Sequence, residues 1–275
     1  MSVFLHRMGI LSRNLIPEFI PTSLSGCALW LDAADANTLY DATSGGSLVA
    51  PDGQVARWED KSGNARHFNQ NTSGFRPLRK TDVQNGLDTV RFGGDDRLQN
   101  TDIIATGNPA ITIFTVVQWS DGPFDGNGAA RIVHIGKGAG EQNLESLAVA
   151  VDDNRLSSWR FNGGFVQYGA SSAGMHVGTW QRSASETIAN SSLRIDGESL
   201  SSVNSGNGSA SPNLPSSEVV NFVGAGAFHT GNIGNFVIGD IAEILIYNRA
   251  LNSTERRQVE EYLQEKWATP ALPEI

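Results

Sequence analysis

Cysteine is nearly absent from this chain, which has Cys27 alone among its 275 residues. A single thiol excludes any disulfide within the chain, and beside Ala28, Leu29 and Trp30 it is predicted to be a small buried apolar side chain. A chain of this length buries about three-quarters of its unfolded surface, so it needs neither disulfides nor a structural metal to fold. The lack of disulfides favours folding in a reducing cytoplasm over folding during export.

Basic charge is also scarce, with 20 lysines and arginines against 29 aspartates and glutamates and a formal net charge of −9. Phosphate contacts need clustered lysine and arginine, and the sequence has no such cluster. It has no apolar run of the roughly 20 residues that a membrane-spanning helix needs. Its N-terminus lacks the apolar core and cleavage site of an export signal. We therefore expect no nucleic-acid partner and no membrane span.

Glycine, by contrast, is plentiful at 30 residues, and turn-forming residues separate many short apolar segments. The strongest strand signal is AITIFTVVQWS at 110–120, which has β-branched and aromatic residues throughout. Similar segments follow at short spacing, near 131–136, 147–151, 156–161, 165–169, 175–183, 192–199, 219–223 and 235–247. Regular short strands divided by such turns predict an all-β antiparallel sandwich.

The segment 239–267 predicts a long strand, a tight turn and a capped helix. The strand is too apolar to have one wet face, which predicts a position in the middle of a sheet. Asn252 and Glu255 have the spacing of a capping box, in which each side chain accepts a hydrogen bond from the other residue's backbone N–H. The helix at 253–267 is predicted to dock on the sandwich through Val259, Tyr262, Leu263 and Trp267.

This ending resembles the close of concanavalin A-like, laminin-G-like jelly-roll domains. Segments near the other end resemble the first strands and turns of the same family: ALWLDAADANTLYD at 28–41, VARWEDKSGNARHFNQ at 55–70 and LDTVRFGGDDRL at 87–98. The resemblance covers roughly residues 24–267. It implies a jelly-roll β-sandwich at 24–275 with a terminal helix. The fold serves lectins, adhesion modules, polysaccharide-degrading enzymes and virion proteins, so it does not by itself define a function.

Residues 1–23 form a separate leader segment in this interpretation, with a boundary marked by Pro17 and Pro21. One reading is a disordered leader. The other is an anchoring segment, because a solvated tail gains nothing from so many apolar residues. The anchoring candidates are Phe4, Leu5, Ile10, Leu11, Leu15, Ile16 and Phe19.

Catalytic signals are weak in the sequence. Some glucanases of the superfamily carry carboxylates at alternate positions of one strand, which points them to one face, and no such E-x-D-x-E occurs here. Glu141 and Glu145 lie in a polar segment without alternation, and Glu59 and Asp60 are adjacent. The five histidines are scattered and form no zinc motif. The sequence therefore predicts a protein that is not an enzyme.

Calcium is the one cofactor that the sequence leaves open, since laminin-G-like domains often hold it with Asp and Asn in rim loops. The candidate ligands are Asp32, Asp35, Asp60, Asp95 and Asp96. None has the spacing of a self-contained calcium loop. The alternative, which we favour, is turn chemistry, in which an aspartate accepts a hydrogen bond from the backbone two residues on.

A glycan is the predicted small ligand, because exposed tryptophan and tyrosine beside polar side chains make stacking surfaces for sugars. The candidates lie in the more polar middle strands: Trp159, Arg160, Tyr168 and Trp180. The alternative is that both indoles are half-buried residues of the sandwich.

The function predicted from these features is a non-catalytic structural or adhesive component of a phage virion, as a tail or head accessory protein made in the host cytoplasm. Its partners would be other virion proteins or sister subunits, bound through residues 1–23, and a cell-surface glycan. The alternative is a bacterial carbohydrate-binding module or surface adhesin, located outside the cell or on its surface. A glycoside hydrolase is the third possibility.

Overall fold

The structure, a computed structural model, describes residues 19–119, 130–137, 145–152, 155–159, 165–170, 174–201, 204–206, 211–227 and 232–274. The strands in these ranges are β1 (Cys27–Asp32), β2 (Leu39–Tyr40), β3 (Arg57–Trp58), β4 (Phe68–Asn69), β5 (Leu78–Gln84), β6 (Leu87–Gly93), β7 (Leu98–Asn100), β8 (Ile111–Trp119), β9 (Ala130–Gly136), β10 (Ser146–Asp152), β11 (Arg155–Trp159), β12 (Phe165–Ala170), β13 (His176–Arg182), β14 (Ser192–Ile195), β15 (Glu198–Ser199), β16 (Asn204–Gly206), β17 (Asn221–Val223), β18 (Gly226–Ala227), β19 (Ile233–Gly234) and β20 (Ile238–Tyr247). The α-helix α1 (Ser253–Trp267) follows, and short 3-10 helices lie at Pro21–Ser23, Ala36–Thr38, Ser73–Phe75 and Ile188–Asn190.

Within the described ranges, these strands form two large sheets and one two-stranded sheet. The first large sheet has the order β15-β14-β13-β8-β20-β6-β5, and β1 also pairs with β20. The second has the order β16-β12-β11-β10-β9-β17-β7-β4-β3-β2, and β18 pairs with β19 separately. Neighbouring strands run antiparallel, as in the pairs of β20 with β8 and of β4 with β7. The predicted all-β antiparallel architecture is confirmed.

The two large sheets share one apolar core. The first sheet contributes Val90, Ile113 and Ile244, and the second contributes Trp58 and Phe68, all at most 1% exposed. Burying a side chain of this size contributes about 1.5–3 kcal/mol, so the core between the sheets is the main source of stability. The second sheet is thereby held with one face on the core and the other face away from it.

Strand β20 lies in the middle of the first sheet, as its apolar sequence predicted. It pairs with β8 on one side and with β6 and β1 on the other. A bulge between Ile241 and Glu243 changes which residues face the core. Ile241 and Ile244 both point between the sheets, whereas Ala242 and Leu245 pack beneath α1.

Helix α1 begins with the predicted capping box. Asn252 Oδ1 accepts the Glu255 N–H at 3.0 Å, and Glu255 Oε2 accepts the Asn252 N–H at 3.0 Å. The helix buries Val259, Leu263 and Trp267 against Phe114, Leu245 and other residues on the outer face of the first sheet. The docked terminal helix is therefore confirmed. Over the described residues, no helix combines the length and apolar content that crossing a bilayer requires.

A buried charged network fastens α1 to the first sheet. Glu243, 1% exposed, accepts hydrogen bonds from Lys266 Nζ and Trp267 Nε1 at 2.7 Å each. It also accepts hydrogen bonds from Trp30 Nε1 at 2.7 Å and from the Tyr262 hydroxyl at 3.0 Å. Burial, followed by the Asp32 carboxylate, raises the pKa of Glu243, and the Lys266 ammonium and the indole N–H oppose that rise. Four donors on one carboxylate make this network structural.

Residues 19–23 pack on the same outer face. The ring of Phe19 lies 5.7 Å from that of Tyr262, Pro21 is buried, and the Tyr247 hydroxyl donates to the Pro21 carbonyl at 2.9 Å. Phe19, predicted to be an anchoring residue, thus contacts its own domain. The remaining anchoring candidates, Phe4, Leu5, Ile10, Leu11, Leu15 and Ile16, lie outside the described residues.

Cys27 opens β1 and is half-buried rather than fully buried. It packs at the margin of the apolar cluster beneath α1. Burial, and then the Asp60 carboxylate, raise the pKa of its thiol to about 12, so the thiol stays protonated and unreactive near neutral pH.

Candidate functional site

A polar cavity of about 240 Å³ lies on the second sheet, where the neighbouring strands β4 and β7 end. All of the side chains that line it are polar. They are His67, Asn69, Gln70, Asn71, Gln99, Asn100, Thr101 and Asp102. Five amides and one hydroxyl in one concavity distinguish it from the apolar interior of the sandwich.

Strand alternation explains why polar side chains gather there. Phe68 in β4 and Leu98 in β7 point into the core between the sheets. Because successive side chains point to opposite faces, Asn69 and Gln99 point away from the core. These two residues are direct partners in the β4–β7 register, so their side chains are neighbours on the outer face.

Three of the lining amides are committed to the protein itself, among them Asn69, whose Nδ2 donates to the His67 carbonyl at 3.3 Å. Gln70 Nε2 donates to the Arg97 carbonyl at 3.1 Å, and its Oε1 accepts the Thr72 N–H at 2.9 Å. Asn100 Nδ2 donates to the Arg66 carbonyl at 3.2 Å. These hydrogen bonds hold the walls of the cavity in place, so the groups that form them are not available to a ligand.

Asn221 in β17 supports the part of the cavity wall that Asn100 and Asp102 form. This residue is 0% exposed, and its Nδ2 donates to Asn100 Oδ1 at 2.7 Å and to the Asp102 carbonyl at 2.8 Å. Its Oδ1 accepts the Gly136 N–H at 3.1 Å. One buried amide therefore ties the end of β9 and the segment after β7 together, and so positions the main chain of Asp102.

His67 forms the wall nearest the turn at 60–66. Its Nδ1 accepts the backbone N–H of Asp60 at 3.0 Å. In the neutral imidazole the other nitrogen, Nε2, must then carry the proton. Over the described residues no protein acceptor binds this N–H, and the half-buried ring is part of the cavity lining.

Other lining groups have hydrogen-bonding capacity to spare. Over the described part of the chain, no hydrogen bond joins the side chain of Asn71, Gln99, Thr101 or Asp102 to the protein. Asn71, Thr101 and Asp102 are exposed, and Asp102 is the one charged side chain in the lining. Donors and acceptors of this kind, converging on an open cavity, suit a ligand rich in hydroxyl groups.

The aspartates considered as calcium ligands are engaged by protein donors. Asp32 binds Lys266 Nζ at 2.6 Å and Lys61 Nζ at 2.8 Å, and Asp35 binds Lys61 Nζ at 3.0 Å. Lysine ammonium groups thus occupy the positions on these carboxylates that a cation would need. Asp32 and Asp35 also accept backbone N–H groups two residues on, which is the favoured turn interpretation.

Asp60 is the centre of the turn after β3. Its carboxylate accepts the backbone N–H groups of Trp30, Ser62 and Arg66 and the Ser62 hydroxyl, at 2.8–3.1 Å. Four donors saturate both oxygens, so the D-K-S-G-N motif is a structural turn. It places His67 beside the cavity.

Asp95 and Asp96 lie in the turn between β6 and β7. Asp96 Oδ2 accepts the Gly93 N–H at 2.6 Å, and burial raises the pKa of Asp96. Over the described residues, no group of three His, Cys, Asp or Glu side chains is arranged to hold a metal. The calcium hypothesis gains no support from these aspartates.

The predicted stacking residues do not form the cavity. Trp180 is 1% exposed in the core between the sheets, so it has no face on which a sugar could stack, and that part of the prediction is wrong. Trp159 and Tyr168 lie in β11 and β12, but their side chains are outside the described part of the structure. Arg160 also lies outside it.

The carboxylates weighed for catalysis are scattered. Glu59 binds Arg57 at 3.0 Å, Glu145 binds Lys137 at 3.5 Å, and Glu141 lies outside the described residues. The cavity lining contributes a single carboxylate, Asp102. Glycosidases of the usual kind use two, about 5–9.5 Å apart.

Solved structures that resemble this chain come from carbohydrate-acting proteins. One is Trypanosoma rangeli sialidase in complex with 2,3-difluorosialic acid, at 15% identity and a TM-score of 0.54, covering 88% of this chain and 33% of the sialidase. Another is an arabinofuranosidase complexed with arabinofuranosyl-α-1,2-xylobiose, at 15% identity and a TM-score of 0.55, covering 86% of this chain and 62% of that one. The chain thus spans about a third of the length of the sialidase.

A third match extends over a whole domain. Domain 4 of AbnA, an extracellular arabinanase from Geobacillus stearothermophilus solved with arabinotriose, has 13% identity and a TM-score of 0.53. The match covers 86% of this chain and 97% of that domain. At these identities the likeness concerns the fold. No protein-family model matches the chain, and no curated protein matches its sequence.

These comparisons correct the function predicted from the sequence. The matching structures belong to a sialidase, an arabinofuranosidase and an arabinanase, all of them glycosidases. The prediction of a non-catalytic phage virion component is contradicted, because the matches support neither a virion protein nor the exclusion of enzymes. What remains supported is a β-sandwich of a kind found in glycan-acting proteins.

Proposed function

We propose that this domain binds a carbohydrate in the cavity between the ends of β4 and β7. The observation that carries the proposal is the convergence of uncommitted donors and acceptors from His67, Asn71, Gln99, Thr101 and Asp102 on one open concavity. Sugar hydroxyls act as both donors and acceptors, and this lining offers both. An apolar ligand would leave these groups without partners.

The size of the cavity favours a short ligand. Its volume of about 240 Å³ lies below the roughly 300–1,000 Å³ of pockets for drug-sized molecules. One or two sugar rings, or the end of a longer chain, match that volume. The arabinotriose bound to the arabinanase domain supports the idea that a unit of this fold takes a short oligosaccharide.

The composition of the lining favours weak binding. Sugar sites gain much of their affinity from aromatic rings, and none of the eight lining residues is Trp, Tyr or Phe. Hydrogen bonds exchanged with water contribute about 0.5–1.5 kcal/mol each. We therefore expect dissociation constants of roughly 0.1–1 mM, equivalent to about 4–5.5 kcal/mol of binding.

Titration calorimetry or ligand-observed NMR with a panel of short oligosaccharides tests this function. The variant Gln99→Ala removes one uncommitted amide from the cavity lining and should weaken binding several-fold. Gln258→Ala is the matched control, because Gln258 is exposed on α1, away from the cavity. If no oligosaccharide binds, or if both variants weaken binding equally, carbohydrate binding at this cavity is wrong.

Glycoside hydrolysis at the same cavity is the second candidate. The matches to glycosidases favour it, as does the presence of Asp102 and His67, both able to transfer protons, in one lining. The same incubations can be assayed for released reducing ends. Turnover that disappears in Asp102→Asn would assign hydrolysis to this cavity, whereas binding without turnover would leave recognition as the function.

For the fold, we propose that the sandwich is a concanavalin A-like jelly roll. The start and end motifs of the sequence support this assignment, together with the long central strand β20 and the docked helix α1. An experimental structure with its full strand connectivity would test it.

A further inference from the structure

Resting on the proposed function, we propose that the cavity selects uncharged sugars and that Asp102 is the residue that rejects acidic ones. Sialic acids and uronic acids carry a carboxylate at neutral pH, whereas arabinose, galactose and glucose units do not. This selectivity would distinguish the domain from the sialidase that it resembles in fold, which was solved with 2,3-difluorosialic acid.

The charge of the lining is the first argument. Seven of the eight lining side chains are uncharged when His67 is neutral, and the eighth is the Asp102 carboxylate. An acidic sugar in the cavity would place a second negative charge within a few ångströms of Asp102. Repulsion between like charges at such a separation near a protein surface weakens binding on the order of tenfold or more.

The second argument is that the nearby arginines lie outside the lining. Arg66 Nη1 donates to the Ala28 carbonyl at 2.6 Å, and Arg76 Nε donates to the Gln70 carbonyl at 2.9 Å. Arg97 lies over the ring of Phe75, 4.3 Å from its centroid. None of the three belongs to the lining, so the described cavity offers no guanidinium fork for a sugar carboxylate.

The third argument concerns what Asp102 contributes to a neutral ligand. An ionised carboxylate accepts hydrogen bonds on both oxygens, and charge-assisted bonds are about twice as strong as neutral ones. Asp102 can therefore accept from two hydroxyls of one sugar. Its main chain is held by Asn221 at 2.8 Å, which keeps the carboxylate at the rim of the cavity.

These roles predict opposite effects of one substitution. In Asp102→Asn the repulsion of acidic sugars disappears, and so does the charge-assisted acceptor for neutral sugars. Acidic sugars should then bind more tightly than before, and neutral ones less tightly. A substitution that merely disturbed the structure would weaken both.

The probes are pairs that differ in charge but little in shape: trigalacturonate against its fully methyl-esterified form, and sialyllactose against its carboxyl methyl ester. Binding is measured by titration calorimetry or ligand-observed NMR at neutral pH and low salt. The wild-type domain should bind the uncharged member at least about tenfold more tightly. Asp102→Asn should reduce that ratio to about threefold or less, by gain for the acidic member and loss for the neutral one.

Asp95→Asn is the matched control, because it removes the same charge from an exposed aspartate outside the lining and should preserve the tenfold ratio. Thermal melting shows whether each variant is folded. Acidic probes that bind the wild type as tightly as their uncharged partners would overturn the selectivity and leave carbohydrate binding intact. Failure of every probe and of the oligosaccharide panel would overturn the proposed function itself.

Discussion

Two polar regions of this domain differ in how completely their hydrogen bonds are satisfied. Beneath α1, the Glu243 carboxylate is 1% exposed and receives four donors from the protein. In the cavity beside β4 and β7, exposed groups such as Asp102 and Thr101 receive none from the described residues. A buried charge needs hydrogen-bond partners from the protein, whereas an exposed group can form hydrogen bonds with water or with a ligand.

This contrast gives a physical criterion for distinguishing a structural polar network from a candidate binding site. The first region holds more charge, including Asp32, Lys61, Glu243 and Lys266, yet its members are fully occupied with one another. The second holds a single charge but keeps two amides and one hydroxyl uncommitted in the described structure. A count of charged residues would favour the first region, whereas the uncommitted groups favour the second. The following predictions test the contrast in order of expected effect on stability.

The largest effect is expected from Glu243→Ala. The substitution removes one of the two carboxylate partners of Lys266, which keeps Asp32, and leaves the indole N–H groups of Trp30 and Trp267 without an acceptor in a buried site. Breaking a buried charge pair in this way costs about 3–5 kcal/mol of the free energy of unfolding. Urea denaturation measures the loss, and Glu261→Ala, which removes a half-exposed partner of Arg257, should change stability by less than about 1 kcal/mol.

A smaller loss is expected from Asn221→Ala, because it removes three hydrogen bonds at the back of the cavity wall. The buried Gly136 N–H and the Asn100 Oδ1 are left without a partner, which costs about 2–3 kcal/mol. Sugar binding should weaken as well, since Asp102 loses its main-chain anchor. If the destabilised variant keeps its sugar affinity, Asn221 does not position the cavity for binding. The exposed Asn190→Ala serves as the control.

The third prediction concerns how stability depends on pH. It tests Glu255, a carboxylate that, like Glu243, is held by donors from the protein. The Arg249 guanidinium, and then the Asn252 N–H, lower the pKa of Glu255 from 4.5 to about 2. Because the folded pKa is depressed, the stabilisation is complete above pH 4.5 and is lost as the pH falls towards 2. The stability difference between wild type and Glu255→Gln should therefore shrink over that window. A difference that is constant with pH would contradict the role of the ionised cap.

The smallest effect on stability is expected from Gln99→Ala. Its amide is half-buried in the cavity and engages no protein group in the described structure, so the free energy of unfolding should change by less than about 0.5 kcal/mol. Sugar affinity should nevertheless fall. A stability loss above about 1 kcal/mol in thermal or urea unfolding would show that Gln99 is structural and would remove the distinction between the two regions.

Local signals in the sequence were sufficient for the C-terminal strand and helix. The capping box at Asn252 and Glu255, the apolar run of β20 and the helical spacing of Leu263 and Trp267 depend on residues close together in the chain. Trp180 shows the limit of such reasoning. Its polar neighbour Gln181 suggested a wet strand, but the alternation of side chains sends Trp180 inward to the core.

The cavity could not be assembled from the sequence in the same way. Its two sides come from segments 67–71 and 99–102, joined by the pairing of Asn69 with Gln99, and Asn221 reaches them from more than 100 residues further along. The amide-rich stretches at those positions were a usable signal. Only strand register shows that they meet, and register between distant strands is a tertiary property.

The central position of β20 has a consequence for how the chain folds. This strand separates β8 from β6, yet it follows both by more than 100 residues. Until residues 238–247 are available, the facing edges of β6 and β8 have no partner between them, and open edges invite pairing with other chains. The contact of Asp32 with Lys266 likewise joins positions 234 residues apart. We expect slow, late closure of the sheet, and a strong need for chaperone protection while the protein is being synthesised.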